Sequence, residues 1–208
     1  MALKKNVDTW KLKTWYSIIA PKFLNEAKVG EVPTIEDKNL INRTIVAPLK
    51  EITKNMNHLN ITFKLRITEV RGKNAYTKFI GHEVAREGIK QLIRRGRDAI
   101  EIVLDATSKD GLDFRVKAIV ITQINSSRQK RAELRRIITE QLRKMMTSKD
   151  MGSFINDCFS GKNATEIYGI AKKIVPIKKI EIRKTELKEL FDSDEKQELK
   201  KEVLEEFN

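Results

Sequence analysis

The chain has 208 residues, 40% of them hydrophobic and 34% charged, which is typical of a globular protein with an unusually charged surface. Its single cysteine excludes an intrachain disulfide and a four-cysteine zinc site, and no run of about 18 apolar residues provides a transmembrane helix. The beginning of the sequence lacks the apolar segment of a secretory signal. We therefore expect a reduced, cytoplasmic protein that does not enter a membrane.

The net charge of +13 is unevenly distributed along the chain. Residues 1–185 carry 38 basic and 20 acidic side chains, whereas residues 186–208 carry 4 basic and 9 acidic ones. A body with this excess of positive charge repels itself unless a polyanion offsets the charge. Nucleic acid is the favoured partner and an anionic membrane the second, since a thermophile-like surface of Lys–Glu pairs would balance near zero.

Residues 1–24 are basic and aromatic, and we expect them to form an N-terminal arm. The rings of the arm either anchor it on the body, which we favour for Trp15 and Phe23, or stack on RNA bases. In the second interpretation, Trp10 or Tyr16 stacks on an unpaired base while lysines contact phosphates. The candidate RNA-binding residues of the arm are Lys4, Lys5, Lys11, Lys13 and Trp15.

A hairpin is predicted after the short strands and loops of residues 29–53. Apolar and polar residues alternate strictly from 61 to 68, which predicts a half-buried strand, and a second strand follows at 75–80. Gly72 and Asn74 suit the positive φ of a tight turn, so the hairpin has a basic tip. The candidate RNA-binding residues in this part are Arg43, Arg71, Lys73 and Asn74.

Residues 82–95 have the apolar spacing of a helix, and Gly96 suits its end. Three arginines lie there, where they either contact phosphate or simply offset the helix dipole. Residues 99–106 and 112–124 then predict two strands joined by an Asp-Gly turn. The candidate RNA-binding residues here are Arg94, Arg95 and Arg97.

The most basic helix is predicted from about Ser127 to Thr147, after an Asn-Ser-Ser run that provides an N-cap. About twenty residues at 1.5 Å each give a rod of roughly 30 Å. Arg128, Arg131 and Arg135 share one face of the helix, and such a row can contact several phosphates at once. The alternative is that this face is simply solvated and binds nothing. The candidate RNA-binding residues of this helix are Arg128, Lys130, Arg131, Arg135, Arg136, Arg143 and Lys144.

Residues 150–173 predict a second helical unit, which Gly161 interrupts. Asn163 and Glu166 match a capping box for its second part. A last strand is predicted at 177–184, and the acidic residues after it are expected to be a weakly ordered extension. Strands followed by helices predict a single α+β unit.

No side chains combine into a recognisable catalytic or metal site in the sequence. His58 and His82 have no second ligand at metal spacing, and Cys158 suits a buried position on a helix. The Gly-Lys of residues 72–73 lacks the rest of a phosphate-binding loop. The sequence therefore predicts a binding protein rather than an enzyme, with no metal and no cofactor.

Seven short motifs in order resemble the archaeal and eukaryotic small-subunit ribosomal protein family of the S-one-e (S-three-a-e) type. The clearest run is Phe63-Lys64-Leu65, Gly72-Lys73-Asn74, Thr77-Lys78-Phe79 and Gly81. The others are Trp15-Tyr16 with Ala20-Pro21, Asn42-Arg43-Thr44, Arg135-Arg136 through Arg143-Lys144-Met145-Met146, and Ile174-Val175-Pro176 with Ile182-Arg183-Lys184. The resemblance extends over about residues 10–190.

The resemblance implies a non-enzymatic structural constituent of the small ribosomal subunit with an antiparallel β-barrel-like body and flanking helices. Members of the family lie on the platform, near the 3′ end of the rRNA and the mRNA exit. The implied partners are small-subunit rRNA, neighbouring ribosomal proteins and mRNA near the exit. The lack of the longer basic ends of eukaryotic members favours an archaeal-type protein.

The predicted fold class is therefore α+β, with a barrel-like antiparallel body, one long basic helix and an acidic C-terminal tail. Residues 1–24 are the expected arm, residues 25–190 the rRNA-binding domain and residues 191–208 the acidic extension. A non-ribosomal RNA-binding regulator or chaperone would share every basic cluster and is the main alternative. An RNA-modifying enzyme would require a cofactor motif that the sequence does not show.

Overall fold

The computed structural model describes residues 9–188, which form eight strands and five α-helices. The strands are β1 (Thr14–Ile19), β2 (Lys28–Thr34), β3 (Thr44–Pro48), β4 (Ile61–Arg71), β5 (Asn74–Val84), β6 (Ala99–Thr107), β7 (Asp113–Thr122) and β8 (Ile177–Leu187). The helices are α1 (Leu49–Thr53), α2 (Arg86–Lys90), α3 (Arg128–Ser148), α4 (Met151–Phe159) and α5 (Lys162–Ala171). Short 3₁₀ turns lie at Thr9–Leu12, Lys22–Leu24, Asp37–Asn39 and Met56–His58.

The β4–β5 hairpin agrees with the alternation in the sequence. Phe63, Leu65 and Ile67 are fully buried on one face of β4, while the residues between them face outward. Gly72 has a φ of +61° in the two-residue turn, a conformation that glycine adopts without steric cost. The hairpin therefore ends in the predicted basic tip.

One mixed sheet contains all eight strands, in the order β2-β1-β5-β8-β7-β6, with β4 and then β3 on the other edge of β5. The first part of β5, Asn74–Tyr76, pairs in parallel with β1, and its last part, Gly81–Glu83, pairs antiparallel with β8. The sheet therefore forks at β5.

The expectation of a barrel-like body is wrong, because this sheet does not close. Within residues 9–188, strands β2, β3 and β6 each pair along one edge only. A barrel requires strand pairing that returns to the first strand. Here the sheet divides at β5 into branches, and these branches end at the unpaired edges of β2, β3 and β6. The α+β class itself is confirmed.

The core lies between the sheet and helices α3, α4 and α5. Leu134, Ile138 and Leu142 are fully buried on one side of α3, at the i, i+4 and i+8 spacing of a helical stripe. They belong to the same buried cluster as Ile100 and Val116 from β6 and β7. Because this stripe fixes the orientation of α3, the opposite side of the helix faces solvent.

The helix predicted at 82–95 is wrong. Strand β5 continues to Val84, and only Arg86–Lys90 is helical. Val84 and Ile89 form a separate cluster with Ile119 and Ile121 on the outer face of β7. The apolar spacing thus reflects a strand end and a loop packed on the sheet.

The capping box predicted for α5 is also wrong. The N-cap of helix α5 is Gly161 at φ +73°, so the helix starts two residues earlier than predicted. Asn163 is fully buried and its side chain contacts α4 and Lys149 instead.

Residues 1–8 and 189–208, including Lys4, Lys5 and the acidic extension, lie outside the described residues. In the described part of the chain, no helix is both long and apolar enough to cross a membrane.

Candidate nucleic-acid interface

The long helix α3 presents most of the candidate cations. Ser127 is its N-cap, and its hydroxyl accepts a hydrogen bond from the backbone N–H of Lys130 at 3.4 Å. Seven basic and two acidic residues lie on the helix. Arg131 is half-buried, and the remaining cations of the helix are exposed: Arg128, Lys130, Arg135, Arg136, Arg143 and Lys144.

Asp98 fixes the beginning of α3 beside the preceding arginine cluster. Its Oδ2 accepts hydrogen bonds from the backbone N–H and hydroxyl of Ser126 at 2.7 and 2.8 Å. These two bonds, together with Arg131 at 3.7 Å, lower the pKa of Asp98. Residues 94–97 are therefore held next to the N-terminal end of α3.

The term "helix surface" denotes this joined set of cations, which are Arg94, Arg95, Arg97, Arg128, Lys130, Arg131, Arg135, Arg136, Arg143 and Lys144. Lys144 pairs with Glu140 at 2.8 Å, and Arg97 donates to the carbonyl of Leu92 at 3.4 Å. Arg131 pairs with Asp98, as above. Among the described residues, the other seven cations have no carboxylate within 4 Å. Their charge is available to an external anion.

A second set of candidates lies at the tip of the β4–β5 hairpin. The backbone N–H of Ser17 donates to the carbonyl of Lys73 at 2.9 Å, so strand β1 lies directly beside the tip. Arg71 lies 5.4 Å from the ring centre of Tyr76 and pairs with Glu69 at 2.7 Å. The term "hairpin-tip surface" denotes Lys13, Trp15, Arg71, Lys73 and Asn74.

The aromatic residues of the expected arm differ in their exposure, and the two on β1, Trp15 and Tyr16, lie on opposite faces of the strand. Tyr16 is buried, and its hydroxyl donates to Asp37, which raises the pKa of the tyrosine. Stacking of an RNA base on Tyr16 is therefore excluded. The anchoring expected of Trp15 is also wrong, because this side chain is 53% exposed. Phe23 does anchor the chain, edge-to-face against Phe79 at 5.6 Å.

The remaining described candidates lie outside the two named surfaces. Lys11 is exposed in the first 3₁₀ turn. Arg43 is exposed just before β3, where its carbonyl accepts a hydrogen bond from Ile67 at 3.0 Å. The structure thus does not bring all the predicted cations into one patch.

Other basic residues, on the outer face of the sheet, are paired internally. Asp105 accepts hydrogen bonds from Arg115 at 2.8 Å and Lys188 at 2.7 Å, and these bonds lower its pKa. Glu83 lies 3.5 Å from Lys64, while Glu186 pairs with Lys117 and Lys184. Each of these five basic residues therefore has a carboxylate partner within the protein.

Two features of the interface were not found from the sequence. The anchoring role of Asp98 depends on a contact across 28 positions, for which the sequence has no local signal. The position of Tyr76 beside Arg71 does have a signal, since the alternation of β5 places Tyr76 on the solvent-facing side.

The chemically reactive side chains lie apart from both surfaces. His82 and Cys158 line a cleft of about 860 Å³ between the sheet and helices α4 and α5. Both ring nitrogens of His82 have hydrogen-bond partners, and burial raises the pKa of Cys158 to about 12. The thiol is therefore protonated and a poor nucleophile. Residues 9–188 contain no cluster of three side chains suited to a metal ion.

Exposed cations on a rigid helix and at a hairpin tip are characteristic of a nucleic-acid-binding structural protein. The sequence agrees, because residues 2–189 match the profile of the Ribosomal S3Ae family. The chain belongs to this family of ribosomal proteins, which are not enzymes.

Several archaeal proteins named small ribosomal subunit protein eS1 are similar to the chain. The protein of Archaeoglobus fulgidus is 38% identical over 186 residues, covering 86% of each chain. That of Sulfurisphaera tokodaii is 34% identical over 180 residues, or 86% of this chain and 93% of the relative. That of Pyrobaculum arsenaticum is 33% identical over 198 residues, or 95% and 90%. The similarity thus extends over nearly the full length of these relatives.

Proposed function

We propose that the chain is a structural constituent of the small ribosomal subunit and binds its rRNA chiefly through the helix surface. Membership of the Ribosomal S3Ae family supports the ribosomal role. The observation that carries the RNA-binding role is the set of exposed cations on and beside α3 that have no carboxylate partner in the described structure.

The binding mechanism is displacement of counterions from RNA phosphates by fixed arginines and lysines. Each neutralised phosphate releases counterions, and this release favours association most strongly at low salt. Arginine also binds phosphate through two parallel hydrogen bonds, which fixes the orientation of the RNA. The buried stripe of α3 and the Asp98 contacts hold the backbone of this helix in place before RNA arrives, so the entropy lost on binding is that of the side chains.

The position in the subunit belongs to the same proposal. The resemblance to the family supports a site on the platform near the mRNA exit, with neighbouring ribosomal proteins and mRNA as further partners, in the cytoplasm. Lys4, Lys5, Lys11 and Arg43 would add phosphate contacts around the two named surfaces. The division into an arm, an rRNA-binding domain and an acidic extension is also part of the proposal.

Charge reversal tests the helix surface. The variant carries Arg128, Arg135 and Arg136 replaced by Glu, because these side chains are exposed and form no ion pair within the described structure. We expect it to dissociate from the small subunit in a high-salt wash that retains the unchanged protein. Its affinity for rRNA fragments should also fall, and the slope of log K against log salt should drop by about one per lost phosphate contact.

The matched control replaces Lys196, Lys200 and Lys201 by Glu, which changes the net charge by the same amount. Equal losses in the two variants would contradict the choice of surface. An rRNA affinity that stays flat between about 50 and 200 mM salt would contradict the electrostatic mechanism. If the chain remained near the top of the gradient when cell extract is sedimented, it would be an RNA-binding regulator or chaperone instead.

A further inference from the structure

An exposed tryptophan lies beside the basic tip of the β4–β5 hairpin. Trp15 is on β1, where its neighbour Tyr16 and the next alternate residue Ile18 face inward and are buried. The indole therefore faces outward, and it remains 53% exposed. Tryptophan combines a large apolar ring with one polar group, and it is enriched at binding interfaces for this reason.

Three cations of the hairpin-tip surface, Lys13, Arg71 and Lys73, differ in their contacts. Among residues 9–188, Lys73 has no ion pair. Arg71 pairs with Glu69, but both side chains are more than half exposed, so the pair is weak. Lys13 lies 4.4 Å from the ring centre of Trp10. All three remain positively charged and lie within a few residues of Trp15 or of the hairpin turn.

The backbone holds the indole and the tip in one rigid unit. Besides the bond between Ser17 and Lys73, the hydroxyl of Thr77 donates to the carbonyl of Ile19 at 2.7 Å. Parallel pairing places Ile19 of β1 opposite Tyr76 of β5. Trp15 lies four residues before Ile19 on β1, so its side chain is on the same face of the sheet as Tyr76. At 3.3 Å per residue, the two rings are separated by about 13 Å along the strand.

We propose that the hairpin-tip surface binds single-stranded RNA, with an unpaired base stacked on Trp15 and adjoining phosphates at Lys73 and Lys13. The inference rests on the proposed function, which makes RNA the ligand. Bases within a duplex are already stacked, so an exposed ring recognises only a strand whose bases are free. The helix surface has no aromatic residue on α3, and it binds phosphates whether the RNA is single-stranded or double-stranded.

Fluorescence of the full chain tests the stacking directly. The sequence contains two tryptophans, so a Trp10→Phe variant leaves Trp15 as the only indole. We expect its emission to be quenched when a single strand of about twelve nucleotides binds, a length within the usual site size. An RNA hairpin of the same length and charge should bind without this quenching.

Affinity measurements on point variants complete the test. Trp15→Ala should weaken binding of the single strand at least about fivefold and leave hairpin RNA binding unchanged, while Trp15→Phe should retain most of the affinity. Because the indole is half-exposed, thermal unfolding of the variants should match the parent. Lys73→Ala should weaken binding of the single strand by removing a phosphate contact, and it should leave binding of the RNA hairpin, which binds at the helix surface, unchanged.

Three results would overturn the inference without touching the proposed function. They are an unquenched Trp15 in the single-strand complex, equal loss of both RNA ligands in Trp15→Ala, and unchanged affinity in that variant. The last result would point to a protein neighbour as the occupant of this surface. If the unchanged chain bound neither RNA ligand at low salt, the proposed function itself would be contradicted.

Discussion

His82 illustrates how a single residue in the core links stability to pH. Its Nδ1 lies 2.7 Å from the hydroxyl of Thr185, and its Nε2 lies 3.2 Å from the carbonyl of Ile182. Burial lowers its pKa from 6.5 to about 4, and the bond to Ile182 offsets only part of this effect. The ring is therefore neutral in the folded protein at neutral pH.

We expect the free energy of unfolding to fall by about 3 kcal/mol between pH 7 and pH 4 because of His82. Above pH 6.5 the ring is neutral in both states. As the pH falls, the unfolded chain binds a proton while the folded protein resists it until about pH 4, so protonation favours unfolding. Urea denaturation at several pH values measures the loss.

The control for this prediction is His82→Gln, which removes the titrating ring. Acidic residues such as Asp105, whose pKa is lowered by Arg115 and Lys188, remain in the variant and act at lower pH. A fall in stability between pH 7 and 4 that is equal in the two proteins would contradict the role of His82.

Asn163 is the second residue whose substitution should have a large effect. Its Nδ2 donates to the carbonyl of Phe154 at 3.2 Å, and its Oδ1 accepts from Lys149 at 3.3 Å, in a fully buried position. We expect Asn163→Ala to lower the free energy of unfolding by about 1–3 kcal/mol. Asn156→Ala is the control in the same denaturation assay. Because Asn156 is exposed, this substitution should lower the free energy of unfolding by less.

At the scale of elements, Gly81 controls how closely β8 approaches β5. A Cβ at this position would lie 2.2 Å from the backbone carbonyl oxygen of Thr185, and the backbone there cannot move without breaking the pairing. We expect Gly81→Ala to destabilise the protein by at least about 2 kcal/mol. Gly30→Ala on β2 is the control, since nothing lies within 4 Å of its added methyl group. Similar melting temperatures of the two variants would contradict the prediction.

The elements also show where sequence patterns succeed and where they fail. Strand β4 was predictable because one of its faces is buried and the other faces solvent, so apolar and polar residues alternate strictly along it. The helix predicted at 82–95 failed because Val84 and Ile89 pack on Ile119 and Ile121, which are remote in sequence. Local periodicity reports which residues are buried, and it cannot report which element covers them.

At the scale of the whole molecule, charge is separated along the chain as well as over the surface. Residues 189–208 carry eight carboxylates and three lysines, so removing them raises the net charge from +13 to +18. We expect the chain ending at Lys188 to bind rRNA fragments more tightly at about 50 mM salt, with a steeper salt dependence. The difference should disappear at about 0.5 M salt, where charges are screened within a few ångströms. Equal affinity at low salt would contradict the prediction.

The composition alone predicted a polyanionic partner, and short motifs predicted the family that the profile match shows. The sequence could not predict which cations are available. Lys64, Lys184 and Arg115 look as basic as Arg135 in the sequence. The pairing of neighbouring strands nevertheless places Glu83 beside Lys64 and Lys184, and Asp105 beside Arg115. The candidate site could therefore be predicted only where a single helix or hairpin defines it.

The fork at β5 has a mechanical consequence. Its first residues hold β1 and the hairpin tip, and its last residues hold β8, which leads through β7 and β6 to α3. A single continuous strand thus sets the distance between the indole at one end and the arginines at the other. Two RNA segments bound to this protein, one at the hairpin-tip surface and one at the helix surface, would be kept at a constant separation and angle.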